Sequence, residues 1–94
     1  MPITYVHIEL PDQTKDQIYS PSSVIKEYFN PGEDLTVSKF LTTCNEGLQE
    51  ASERVRQKFG YACTSAIAES QRIHTLCKNY DSSKKIKIIS FKKL

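Results

Sequence analysis

The chain has 94 residues and a mass of 10.8 kDa, so it has room for one domain with a modest core. Hydrophobic residues make up 38% and charged residues 26%, and no apolar run approaches the ~20 residues that a membrane span needs. These values exclude a membrane protein, a secreted disulfide scaffold and most self-sufficient enzymes. Because the first ten residues lack the basic and apolar regions of a signal peptide, we expect a cytoplasmic protein.

Strict alternation over residues 3–10 predicts the first strand. Its two faces hold Thr4, Val6, Ile8 and Leu10 on one side and Ile3, Tyr5, His7 and Glu9 on the other. Pro11-Asp12 predicts a turn, and residues 15–19 predict a second strand that closes a hairpin. The turn lacks an Asn-Gly or Asp-Gly pair, so we expect a loop longer than two residues.

A short helix is predicted after the hairpin, with Ser20 as its cap and Pro21 at its first position. The Asn-Pro-Gly sequence at residues 30–32 ends it. A longer helix follows, capped by Thr36 or Asp34 and ended by Gly60. Its apolar stripe consists of Val37, Phe40, Leu41, Cys44, Leu48, Ala51, Val55 and Phe59. Gly47 lies inside this helix and permits a close approach by another helix.

A third helix is predicted over residues 63–80 and a final strand over residues 84–92, with a bulge near Ser90. The element order is therefore β-β-α-α-α-β. We expect one α+β domain over residues 1–94, with a three-stranded antiparallel or mixed sheet packed on helices. Pairing of the last strand with the first would bring both chain ends into one sheet.

The residues that could support catalysis or metal binding are few. Cys44, Cys63 and Cys77 contain no C-x-x-C pair, and a continuous helix would hold Cys63 and Cys77 about 21 Å apart. His74 and Cys77 have the spacing to meet on one helix face, but Cys77 also fits the apolar stripe of a buried thiol. Glycine-rich phosphate loops are absent. We therefore predict no catalytic residue, no metal and no cofactor.

Charge is distributed unevenly along the chain. Residues 1–50 hold three lysines and eight acids, whereas residues 51–94 hold ten basic residues and three acids. Such asymmetry is typical of a surface for nucleic acid or an acidic partner, but it is equally consistent with two halves that neutralise each other. If helices cover one sheet face, the other exposes Tyr5, His7 and Phe91 beside several lysines.

Three interpretations of that open face remain. Aromatic and cationic side chains on a sheet bind single-stranded nucleic acid in some modules. An apolar patch could instead bind a protein partner or a second copy of the chain, as in a homodimer. The lysines could also be solvated residues that protect an edge strand from aggregation.

Two segments carry a family resemblance. They are YSPSSVIKEY at residues 19–28 and ASERVRQKFGYAC at residues 51–63. The chain resembles the small bacterial nitrogen starvation response proteins encoded beside a nitrilase in a conserved gene cluster, and the resemblance covers residues 3–80. That family tends to have Pro-Asp-Gly at the first turn, and Gln13 in place of the glycine predicts a looser hairpin.

The resemblance implies an accessory role in the response to nitrogen limitation and no catalytic residue. Within the matched segments, Arg54 and Arg56 lie away from the apolar stripe and are candidate partner contacts, because arginine is favoured at interfaces. We thus expect a non-enzymatic interaction protein that binds a protein partner or itself. The alternative is a nucleic-acid-binding module that uses the lysine-rich last strand, and a weaker one is a small enzyme or carrier that uses His7 or His74.

Overall fold

The computed structural model describes residues 3–60 and 64–93. In chain order the elements are β1 (Thr4–Glu9), β2 (Lys15–Ser20), a 3₁₀ helix (Ser23–Glu27), β3 (Asp34–Thr36), α1 (Val37–Phe59), α2 (Thr64–Cys77) and β4 (Lys85–Lys93). The predicted α+β class is confirmed. No helix in the described ranges is long and apolar enough to cross a membrane.

The four strands form one antiparallel sheet in the order β2-β1-β4-β3. The predicted pairing of the last strand with the first is confirmed, since β4 lies beside β1 along the whole of β1. Both α-helices pack on the same face of the sheet. The core between these layers contains Val6, Ile8, Ile18, Phe40, Cys44, Leu48, Ile73, Ile86 and Ile88.

The prediction of a three-stranded sheet is wrong, because β3 adds a fourth strand at the edge. This strand pairs with only three residues of β4 and directly precedes α1. Hydrogen bonds from Gly32 N to Ile88 O (2.7 Å) and from Ile88 N to Glu33 O (2.9 Å) hold it against the sheet. A strand this short is fixed by its tertiary partner, since three residues cannot display a period.

The first predicted helix is also corrected, because it is a single 3₁₀ segment that begins later than expected. Ser20 is the last residue of β2, and Ser22 is the cap, accepting a hydrogen bond from Val24 N. The Ser20 hydroxyl instead donates to Ser22 O at 2.7 Å and so fixes the turn out of the sheet. Val24 and Ile25 of this segment are buried, as the apolar spacing predicted.

The long helix α1 matches its predicted bounds. Thr36 caps it by accepting from Lys39 N at 3.1 Å, and Gly60 ends it in a left-handed conformation with φ of 84°. A Cβ at Gly47 would lie 2.5 Å from Ile25 Cδ1 and 3.2 Å from Tyr28 Cγ. The predicted close approach at Gly47 therefore exists, and its partner is the 3₁₀ segment.

Five residues, 10–14, separate β1 from β2, which confirms that the loop is longer than two residues. Gln13 N donates to Leu10 O at 2.8 Å, and Gln13 itself has φ of 70°. Thr14 O accepts from Leu10 N at 2.8 Å, and Thr14 N donates to Asp12 Oδ1 at 3.1 Å. The expected loosening is not seen, because Gln13 adopts the left-handed conformation that glycine would take at no steric cost.

Replacing Gln13 with glycine should therefore raise the free energy of unfolding by about 1 kcal/mol, because an L-residue gives up about that much in the left-handed region. Urea unfolding of the two proteins would measure the difference. Thr14→Gly is the matched control, since Thr14 has no positive φ and should lose stability. Equal effects of the two glycines would contradict the argument.

Candidate functional site

The outer face of the sheet is the one opposite both helices, and its side chains form cross-strand rows. The strand register places Tyr19, Tyr5 and Lys92 side by side, and we call these the aromatic row. The next, here the middle row, consists of Gln17, His7 and Ser90. The third, here the charged row, consists of Lys15, Glu9, Lys87 and Asp34. Tyr5 and His7 thus lie together on the open face, as predicted.

The aromatic row is the most apolar part of this face. The rings of Tyr5 and Tyr19 meet edge to face, with centroids 6.0 Å apart and planes inclined by 64°. Both side chains are half-buried, and Lys92 next to them is exposed. The row therefore offers a preorganised aromatic pair with a cation at its side, on a surface that neither helix covers.

The charged row is internally neutralised. Glu9 forms an ion pair with Lys15, and the hydrogen bond from Lys15 together with its charge and that of Lys87 lowers the pKa of the Glu9 carboxyl. Lys87 lies opposite Glu9 on one side and Asp34 on the other. Positive and negative side chains alternate along the row, so its lysines present little net charge to a ligand. Lys87, from the second half of the chain, thus lies between two acids of the first half.

Phe91 does not belong to this face, contrary to expectation. The predicted bulge is present: the register shifts between His7 and Ile8, leaving Ile89 as the extra residue of β4. One additional residue moves every following side chain to the opposite side of the sheet. Phe91 therefore lies opposite Val6 and packs against the core. Ile89 is the apolar side chain left exposed, at 38%.

Arg54 and Arg56 are exposed, as predicted, but they lie on α1 rather than near the outer face. Each is engaged by an acid of its own helix: Arg54 Nη2 lies 3.1 Å from Glu50 Oε2, and Arg56 Nε lies 2.9 Å from Glu53 Oε2. The structure thus separates the candidate residues into two surfaces on opposite layers. Arg56 also lines a groove between α1 and α2 of about 490 Å³.

Sequence reasoning missed a cluster that covers the edge of β2. Glu69 Oε2 accepts from the backbone N of Tyr19 at 2.8 Å, and Arg72 Nη2 donates to Gln17 O at 2.7 Å. The hydrogen bonds to Glu69 and its charge, with the charge of Asp16, raise the pKa of the Arg72 guanidinium above its usual value. The i,i+3 spacing of Glu69 and Arg72 was the available signal, but it indicates only an ordinary helix pair.

The thiols have the character of structural residues. Cys44 and Cys77 are buried, and burial raises the pKa of the Cys44 thiol to about 12 and that of Cys77 above its usual value. His74 is exposed, whereas Cys77 is buried. Cys63 lies outside the described residues. Within the described ranges, no group of three His, Cys, Asp or Glu side chains could hold a metal ion.

Comparison with known proteins gives one match. A family model described as nitrogen starvation-induced protein NitG matches residues 5–91. No curated protein and no solved structure matches the chain. The matched region includes both helices, β2, β3 and most of β1 and β4, so the family model covers most of the sheet-and-helix domain. The chain therefore belongs to the NitG family of nitrogen starvation-induced proteins.

Proposed function

We propose that this chain is a cytoplasmic, non-enzymatic accessory protein of the nitrogen-starvation response, and that it acts by binding a protein partner. The partner would belong to the nitrilase-cluster pathway that the family resemblance implies. The observation that carries the proposal is the aromatic row, in which Tyr5 and Tyr19 are packed edge to face on the sheet surface opposite the hydrophobic core.

Tyrosine is suited to this role because it supplies a large, rigid contact area with a polar end. Such residues are enriched among those that dominate binding energy in protein interfaces. Because Tyr5 and Tyr19 already restrain each other, little side-chain freedom remains to be lost on binding. His7 and Gln17 in the adjoining row add hydrogen-bonding groups around the aromatic pair. The arrangement thus sets an apolar pair beside polar side chains, the two kinds of surface that an interface patch combines.

The charges favour a protein partner over nucleic acid. Affinity for a nucleic acid comes mainly from several cations that contact phosphates. On the outer face, Lys15 and Lys87 flank Glu9, and Lys87 also lies opposite Asp34. Lys92 alone adjoins the aromatic row. One cation beside two tyrosines fits a protein surface better than a phosphate backbone.

A photo-crosslinker placed at His7 would test the proposal in nitrogen-starved cells. We expect a crosslinked protein partner from that position and none from a crosslinker placed at Arg54, which is more exposed to solvent than His7 but lies on α1. Crosslinking from Arg54 and not from His7 would indicate that the partner binds the helices and would contradict the proposal. A crosslink only to nucleic acid would support the alternative function.

With that partner purified, Tyr5→Ser should weaken its binding by about tenfold or more, the range seen for aromatic interface residues. Calorimetric titration would measure the affinity, and Arg54→Ser is the matched surface control. Circular dichroism would confirm that both variants are folded. Unchanged affinity for Tyr5→Ser would contradict the assignment of the aromatic row.

A further inference from the structure

Strand β1 lies between β2 and β4, and the outer edges of these two strands differ in what covers them. At the β2 edge, side chains of α2 bond the outward backbone groups of Tyr19 and Gln17. At the other edge, β3 pairs only with residues 85–87 of β4. Ile88 is the last residue of β4 whose outward backbone groups are bonded, to Gly32 and Glu33. Residues 89–93 continue along β1 with no strand on their far side in the described part of the chain.

The register identifies which groups point to this open edge. Because Tyr19 and Gln17 direct backbone groups to α2, their partners Tyr5 and His7 must bond toward β4. The alternate residues of β1, Thr4 and Val6, then bond toward β2. Their opposite residues on β4 are Lys93 and Phe91.

Phe91 and Lys93 consequently direct their N–H and C=O groups away from β1. No hydrogen bond joins these four groups to any other part of residues 3–60 and 64–93. Unpaired backbone groups in a row are the template that strand addition uses.

We propose that residues 89–93 of β4 accept an extended, acidic segment of a partner polypeptide as a fifth strand. The charge of β4 specifies the occupant. Of residues 89–93, Lys92 and Lys93 are cationic and none is acidic. A second copy of this segment would bring two more lysines and no acid to the edge, whereas acidic side chains of a partner would pair with Lys92 and Lys93.

The pattern of the added strand follows from the two faces of β4. Lys92 points to the outer face and Phe91 to the core side, so neighbouring positions of the added strand meet a cation and an aromatic ring in turn. An acidic residue beside Lys92 and an apolar residue beside Phe91 satisfy both. The preferred segment therefore alternates acidic with β-branched apolar residues, as a strand does.

The probe is a short peptide of alternating glutamate and valine, titrated into the ¹⁵N-labelled full chain. We expect the amide signals of Phe91 and Lys93 to shift and their hydrogen exchange to slow on binding. The matched control is the same peptide with every backbone nitrogen methylated, which keeps the charge but removes the N–H donors on both edges of the strand. Equal binding of the two peptides, or no binding up to millimolar concentration, would overturn the proposal.

Lys93→Pro removes one of the outward N–H donors at an exposed strand end, and should weaken peptide binding by about tenfold or more. Lys93→Ala loses the charge but keeps the donor, so it should bind more tightly than Lys93→Pro. Equal affinities of the two variants, which both lack the Lys93 charge, would show that the outward N–H contributes nothing and would overturn the proposal. Preferential binding of an oligouridylate at this edge would assign it to nucleic acid and overturn the proposal.

This inference shares with the proposed function only the premise of a protein partner. Tyr5→Ser should leave the affinity for the peptide unchanged, because the Tyr5 side chain lies on the face and its backbone is paired within the sheet. If the peptide does not bind but His7 still crosslinks to a protein, the strand-addition site at residues 89–93 is refuted and the interface on the outer face is retained. If the peptide binds but His7 gives no crosslink, the interface on the outer face is refuted and the strand-addition site is retained.

Discussion

Replacing Glu69 with alanine is expected to lower the free energy of unfolding by about 2 kcal/mol, more than any other surface carboxylate would. The Glu69 side chain is only 11% exposed and accepts the backbone N–H of Tyr19 at 2.8 Å. A half-buried donor left without its acceptor costs about 1–3 kcal/mol. Arg72 would also lose the partner that holds it over Gln17 O.

The matched control is Glu53→Ala on α1. Glu53 forms the same i,i+3 pair with an arginine, Arg56, but bonds nothing on the sheet. Urea unfolding should show a clear loss for Glu69→Ala and almost none for Glu53→Ala, because exposed ion pairs contribute little. Equal losses would mean that the helix pair, and not the cover of the strand edge, is what Glu69 provides.

The same replacement has a consequence for self-association. Without Glu69 and the oriented Arg72, β2 presents unpaired backbone groups along its outer edge. Light scattering on the purified variant should then show a concentration-dependent rise in mass that Glu53→Ala does not show. If the parent chain is already a dimer, its interface is not the covered edge of β2. Such a result would fit the predicted homodimer that uses the outer face.

Local pattern predicted the elements whose own residues determine them. The alternation of β1 correctly separated Val6 and Ile8 from Tyr5 and His7, because a strand with one covered face must alternate. The bounds of α1 were also predictable, because a helix of this length carries its own start and stop signals. Here these signals are the cap Thr36 and the terminating Gly60, with an apolar stripe between them.

The errors occurred where a single residue or a distant partner decides the outcome. Phe91 was assigned to the outer face because the alternation was continued across Ile89, and the bulge reversed every later position. The position of β3 depends on Ile88, more than fifty residues away in the chain, which no local pattern can reveal. The hydrogen bonds from α2 to β2 likewise exist only once the helix lies along the sheet.

Replacing Gly47 with valine is expected to lower the free energy of unfolding by about 3 kcal/mol, the upper range for overpacking a filled core. Even a Cβ there would lie 2.5 Å from Ile25 Cδ1 and 3.2 Å from Tyr28 Cγ. The Ile25 methyl can rotate away, but the Tyr28 ring is held because its hydroxyl donates to Glu50 Oε1 at 2.5 Å. Valine adds two methyl groups in this space, so the 3₁₀ segment must move away from α1.

The alanine variant separates the two opposing effects of a side chain at this position. Gly47→Ala gains about 1 kcal/mol of helix propensity, but its Cβ introduces a 2.5 Å contact that the Ile25 methyl can relieve and contacts of 3.2 and 3.3 Å with the Tyr28 ring. We therefore expect Gly47→Ala to lie much closer to the parent chain than Gly47→Val in thermal unfolding. If valine were tolerated as well as alanine, the 3₁₀ segment would be free to shift, and the glycine would serve no packing purpose. Steep loss from alanine to valine would instead show that Gly47 sets the distance between α1 and the segment that leads from β2 to β3.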